Sequence, residues 1–299
     1  MKILNKVNEL YVIIAGICWG LIGIFTRRLS AIGLNSIQIT LLRNFFAALI
    51  LFFIILVKDK KSIFIKLKDI WLFCGTGILS IAFFNICYFK TIEIASLSVA
   101  AVLLYTAPAM VVIMSCIFFN EKMNCRKVIA LVLAFIGCIF TTGLWGGQYR
   151  LSAMAIIVGL GSGFGYALYS IFGALATKKY NPFTISLYTF VFASIALVPI
   201  GRPGEIISIF STDVNVLKVV IGLSVISTII PFLCYTIGLE KMEAGKASIM
   251  AFIEPLVATV CGILIYKEKV TISNAIGILL IFLSVTILNI STRWIRSTK

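Results

Sequence analysis

The chain has 299 residues, 61% hydrophobic and only 12% charged, with a mean hydropathy of +1.11 and a formal net charge of +15. Soluble domains are about 45–50% apolar and about 25% charged, so a water-soluble globular fold of this composition would leave too much apolar surface in water. That class is excluded, and an integral membrane protein is expected.

Apolar runs of about 18–22 residues recur along the chain, each long enough to cross about 30 Å of hydrocarbon. They fall near 9–27, 36–57, 70–89, 97–118, 127–145, 152–176, 183–200, 216–238, 247–266 and 272–290. Helix is the element that satisfies its own backbone in lipid, and the alternating ten-residue strands of an outer-membrane barrel are missing. The expected fold class is therefore all-α, with about ten transmembrane helices. The first run follows Lys2 and Lys6 and continues to Phe25, ahead of Arg27 and Arg28. It is too long for a signal peptide and lacks an A-x-A-like site, so it reads as an uncleaved first span.

KDKKSIFIKLKD (58–69) reads as a solvated loop between the second and third spans, with anionic-lipid contact secondary. With both termini in the cytoplasm, 17 of the 26 basic residues fall on the cytoplasmic side, 8 fall outside, and Arg43 is left within a span. That asymmetry is the positive-inside signal. The basic balance therefore reports orientation, and no nucleic-acid partner is expected. In GLGSGFG (159–165), Phe164 stands where a dinucleotide fingerprint needs its third glycine. The pairs Gly159/Gly163 and Gly161/Gly165 have the small-xxx-small spacing of close helix packing. Seven of the eight cysteines lie in apolar spans and Cys125 in a loop, with no C-x-x-C and no histidine in the chain. No metal site, cofactor or His-dependent catalytic set is expected, and no ATP-binding motif is present.

Displaced by 147 residues, the sequence meets itself: Gly16 with Gly163, Trp19 with Tyr166, Tyr88 with Tyr235, Glu93 with Glu240, Pro108 with Pro255 and Glu121-Lys122 with Glu268-Lys269. The chain thus divides into two repeats, 1–147 and 148–299. Each has about five spans, an odd number, so the second enters the membrane inverted. Inverted repeats characterise many secondary transporters, with the substrate held near the midplane between halves.

The same residues carry a family resemblance. Trp19-Gly20, Tyr166-Ala167, TLLRNFFAALILFF (40–53), YTAPAMVVIMSCIFFNEK (105–122) and AFIEPLVATVCGILIYKEK (251–269) resemble the EamA-type members of the drug/metabolite transporter superfamily. The resemblance covers essentially the whole chain. It implies a ten-helix basket with helices 1–4 and 6–9 around a cavity and helices 5 and 10 at the side. It also implies export of amino acids or other small metabolites across a bacterial inner membrane.

Several side chains are candidates for that work. A carboxylate at bilayer depth is costly and usually faces a cavity or a partner. Glu254 is read as a cavity group for a proton or a substrate amine, against a fixed pair with Arg43 or a protonated packing acid. Its repeat mate, Ala107, carries no charge. Trp19, Tyr105 and Tyr166 fall deep in their spans and are expected to line the cavity, with Tyr88 and Tyr235. Asn85 would bond either substrate or a neighbouring helix. Arg43 is expected to be architectural, capping a cavity or reaching the headgroups. Pro108 and Pro255 are expected mid-helix, kinking the fourth and ninth spans and widening the space between halves.

The expected function is secondary transport of a small amphipathic metabolite such as an amino acid, exported by alternating access, with proton coupling open. One alternative is an organic-cation transporter with an aromatic cage. An alternative of another class is a membrane-embedded enzyme or a non-transporting scaffold, but few polar groups gather at one depth to support an enzyme.

Overall fold

The structure, a computed structural model, describes residues 2–144, 152–210, 214–269 and 271–289. Among the described residues ten main helices succeed one another: α1 (Val7–Ala31), α2 (Ser36–Lys58), α3 (Leu67–Ile94), α4 (Leu97–Phe119), α5 (Cys125–Thr141), α6 (Ala153–Ala176), α7 (Pro182–Leu197), α8 (Val216–Lys241), α9 (Ala244–Tyr266) and α10 (Ile272–Asn289). All but α5, α7 and α10 are long and apolar enough to cross a membrane. A short helix, Pro203–Phe210, precedes α8.

Local chemistry sets the helix ends. Asn35 opens α2 with a reciprocal capping box, Gln38 N–H donating to Asn35 Oδ1 and Asn35 N–H to Gln38 Oε1, both at 2.9 Å, so two otherwise orphaned donors are satisfied. Asn124, Ser152 and Asn181 cap α5, α6 and α7 in the ordinary one-way manner. At their far ends α4 and α9 stop alike. Asn120 and Lys267 both adopt left-handed backbone (φ 53° each). The next N–H, of Glu121 or Glu268, bonds back to Ser115 O or Gly262 O at 3.2 Å in both cases.

The two prolines correct the expectation of a mid-helix kink. The chain turns at Tyr105–Thr106 and at Ala251–Phe252, and Pro108 and Pro255 lie in the first turn of the new segments Ala107–Phe119 and Ile253–Tyr266. A first-turn N–H has no intrahelical partner, so proline there forfeits no hydrogen bond. The helices are interrupted before the prolines rather than bent at them.

The bundle is apolar outside, and polar side chains are drawn inside among its apolar core. Phe45, Phe53, Leu264 and Phe282 are exposed, whereas Arg43, Asn44, Thr76 and Thr189 are buried. Such an outer surface suits hydrocarbon rather than water. Inside, hydroxyl and amide groups tie helices together: Thr189 donates to Thr76 at 2.7 Å across α7 and α3, and Thr40 to Asn85 at 3.4 Å across α2 and α3. Helix pairs that pack together include α1 with α8, α2 with α7, α3 with α6, α4 with α9 and α5 with α10. Each pair joins a helix before residue 147 to one after it. The α5–α10 seam is narrow because a Cβ on Gly137 would lie 2.9 Å from Gly277 O.

Candidate substrate cavity

Glu254 reaches the interior because α9 can press against α1. A Cβ on Gly20 would stand 2.8 Å from Glu254 O, and one on Gly16 would stand 3.2 Å from Ala251 O. Gly16 and Gly20 form the small-xxx-small stripe that such an approach requires. On the other side, α6 meets α4 at its break: a Cβ on Gly163 would lie 2.8 Å from Leu103 O. The glycines of GLGSGFG thus bring Tyr166, three residues on, to the bundle centre.

Two helices change register as they pass this centre. Residues Gly75–Ala82 of α3 and Val225–Ile229 of α8 are π-helical. A π-turn inserts one residue and rotates the helix beyond it, and such turns recur at functional sites. Past them, Phe84 on one side and Phe232 and Tyr235 on the other face one cavity.

That cavity is tight and is lined by Trp19, Ser80, Phe84, Tyr166, Tyr169 and Tyr235 among others. Trp19 packs on Tyr235 and on Phe232 with centroids 5.3 Å apart in both pairs, and Phe84 meets Tyr166 edge-on at 5.5 Å. The tyrosine hydroxyls are held: Tyr235 shares a 2.8 Å hydrogen bond with Ser170, and Tyr169 another with Thr236. Ser80 Oγ is buried with no hydrogen-bond partner, so one polar group on this wall is uncommitted.

A second tight cavity adjoins it, lined by Tyr105, Pro108, Tyr166, Ser248, Phe252 and Glu254 among others. Tyr166 is the shared wall, and its hydroxyl donates to Glu254 Oε2 at 3.3 Å.

Trp19, Tyr105, Tyr166, Tyr235, Pro108 and Glu254 all line one or both cavities. Asn85 does not: it donates to Ile81 O at 2.7 Å and accepts from Thr40. Tyr88 lies against the core beside Phe89, within electrostatic range of Glu254 but off both linings. Arg43 is 5% exposed, buried inside the bundle. It is within electrostatic range of Glu254 yet forms no ion pair with it, and its Nε lacks a hydrogen-bond partner. Pro255 is buried in the first turn beside Glu254. Ser80 and Phe232 are wall residues that sequence reasoning missed. Their facing depends on the π-turns, which leave no mark in hydrophobic periodicity.

An all-helical bundle with an apolar outer face is the architecture of a multi-pass membrane protein. The EamA-like transporter family matches this chain twice, over residues 7–143 and 153–290. The protein belongs to that family and is a multi-pass membrane transporter. An uncharacterized transporter of Archaeoglobus fulgidus is 28% identical over 280 residues, covering 91% of this chain and 92% of its own. The uncharacterized inner membrane transporter YicL of Salmonella typhimurium is 25% identical over 297 residues, covering 97% of each. One solved crystal structure shares the fold, with a TM-score of 0.78 at 15% identity over 98% of this chain and 99% of that one.

Proposed function

We propose that the protein is a secondary transporter of a bacterial inner membrane, exporting a small amphipathic metabolite such as an amino acid by alternating access. Both termini are placed in the cytoplasm, and residues 1–147 and 148–299 are read as inverted five-helix repeats. The carrying observation is the junction of the two cavities, where Tyr166 bonds Glu254 and Arg43 lies buried nearby without an ion pair. A zwitterion would answer both charges, its amine at Glu254 and its carboxylate toward Arg43, with an apolar body against Trp19 and Tyr235.

The packing supports exchange of roles between the halves. Swapping them carries α1–α8 into α6–α3 and returns α2–α7, α4–α9 and α5–α10 to themselves. The π-turns end at Ala82 and Ile229, and the left-handed stops fall at Asn120 and Lys267. Both pairs are 147 residues apart.

A second reading rests on the aromatic wall: an organic cation held over π faces, with Glu254 as countercharge. Proteoliposome counterflow with amino acids and with quaternary amines separates the two. Glu254→Gln keeps shape and removes charge, so gradient-driven transport should fall at least about tenfold and its pH dependence flatten, with melting temperature little changed. If Glu254 only balanced Arg43, the variant would lose stability instead, by about 3–5 kcal/mol. Full transport with an unaltered pH profile removes Glu254 from the mechanism.

A further inference from the structure

Glu121 and Glu268 end the same local motif yet are used differently. Each succeeds the left-handed residue that stops its helix. Glu121, whose side chain is 8% exposed, reaches across to α9. It accepts from the backbone N–H of Ala244 at 2.7 Å and of Gly245 at 3.2 Å. Gly245 permits this, since a Cβ there would lie 3.1 Å from Glu121 Oε2. The glutamate also receives Lys127 Nζ at 3.2 Å.

Glu268 stands 147 residues later with its side chain 48% exposed, accepting from Arg27 Nη2 at 2.7 Å. Arg27 in turn lies over the Tyr266 ring, 4.1 Å from its centroid. The residues 147 before Ala244 and Gly245 are Leu97 and Ser98, which open α4. The Ser98 hydroxyl is turned away, donating to Thr142 O at 2.7 Å. Glu268 is therefore in the equivalent position with an equivalent target, and is held off it by Arg27.

We propose that Glu121 and Glu268 are exchanging latches, one for each end of the bundle. This rests on the alternating-access reading. In the present state Glu121 closes its end by bridging α4 to the start of α9. In the opposite state Glu268 leaves Arg27 and takes the N–H groups of Leu97 and Ser98, bridging α9 to the start of α4, while Glu121 withdraws toward Lys127. Helix-opening N–H groups have no intrahelical acceptor, and a carboxylate bonded to them makes a charge-assisted contact about twice as strong as a neutral one. Both latches engaged together would shut both ends, so each state keeps one.

Hydrogen–deuterium exchange of the full chain in lipid nanodiscs, read by mass spectrometry at segments spanning 97–98 and 244–245, tests this without a substrate. Glu268→Gln changes a half-exposed side chain and leaves the fold intact. By weakening the opposite state it should slow exchange at 244–245, at the other end of the bundle, about tenfold. Glu121→Gln should do the reverse, speeding 244–245 and slowing 97–98 by a similar factor. Exchange altered only beside the substituted residue, or accelerated in both segments, would overturn the latch. Reciprocal protection in a protein that carries no tested substrate would count against the substrate reading and leave the latch standing.

Discussion

At one end of the bundle, three carboxylates from the first half of the chain reach into the second. Glu9 takes Lys246, Asp69 takes Lys179 and the Tyr180 hydroxyl, and Glu121 takes the start of α9. Asn181 and Thr184 add bonds to Ser62, and Tyr188 donates to Ile63 O. At the opposite end, cross-half polar contacts among the described residues include the half-exposed Arg27–Glu268 pair, a Gln38–Glu205 bond and a bond from Ser273 Oγ to Phe140 O. The contrast is one of dielectric as much as number. Side chains of Lys127, Glu121 and Asp69 are 4%, 8% and 3% exposed, against 54% and 48% for Arg27 and Glu268. A buried charge deprived of its partner is costly, whereas an exposed pair is screened and weak. The first end is therefore the tight one in this state.

The broadest way to break the comparison is to ask whether the two ends lie on opposite sides of the membrane. Lys122 should react with a membrane-impermeant amine reagent only from the cytoplasm, and Lys269, its repeat mate, only from outside. Reaction of both from one side would end the inverted-repeat reading.

Next in size is Lys127→Met. It leaves Glu121 facing Glu243 without the cation that both now share, at 3.2 and 2.7 Å. Stability should drop by about 3–5 kcal/mol, visible as a lower melting temperature in detergent. A change below about 1 kcal/mol would mean that water already reaches this end.

The smallest effect belongs to the other end. Arg27→Gln should cost less than about 1 kcal/mol, and raising salt in the wild type should reproduce most of that loss by screening. A loss as large as that of Lys127→Met would erase the distinction between the ends.

Much of the site was legible because membrane burial makes polar and aromatic residues conspicuous. A lone carboxylate in AFIEPLVATV and a tryptophan deep in the first span stand out against aliphatic neighbours, and Glu254 and Trp19 do line the cavities. Asn85 and Tyr88 carry the same signal but turn to helix-to-helix contact and the core, since depth says nothing about facing. Arg43 resolved differently again. The sequence makes it an architectural residue, capping a cavity or reaching the headgroups, and the fold buries it within range of Glu254 without joining the two. Pro108 and Pro255 signal kinks in the sequence because proline breaks helices, but a chain break just upstream removes the conflict.

Composition and run length determined that this is an all-helical membrane protein, because lipid admits few solutions for a backbone that must satisfy its own hydrogen bonds. The matches at 147 residues and the family resemblance pointed to transport. What only the tertiary structure decided is which side chains share a wall. That depends on glycine contacts that set helix separation, on π-turns in α3 and α8 that shift facing, and on two like glutamates given unlike partners. None of these is periodic, and each arises only when one helix packs against another.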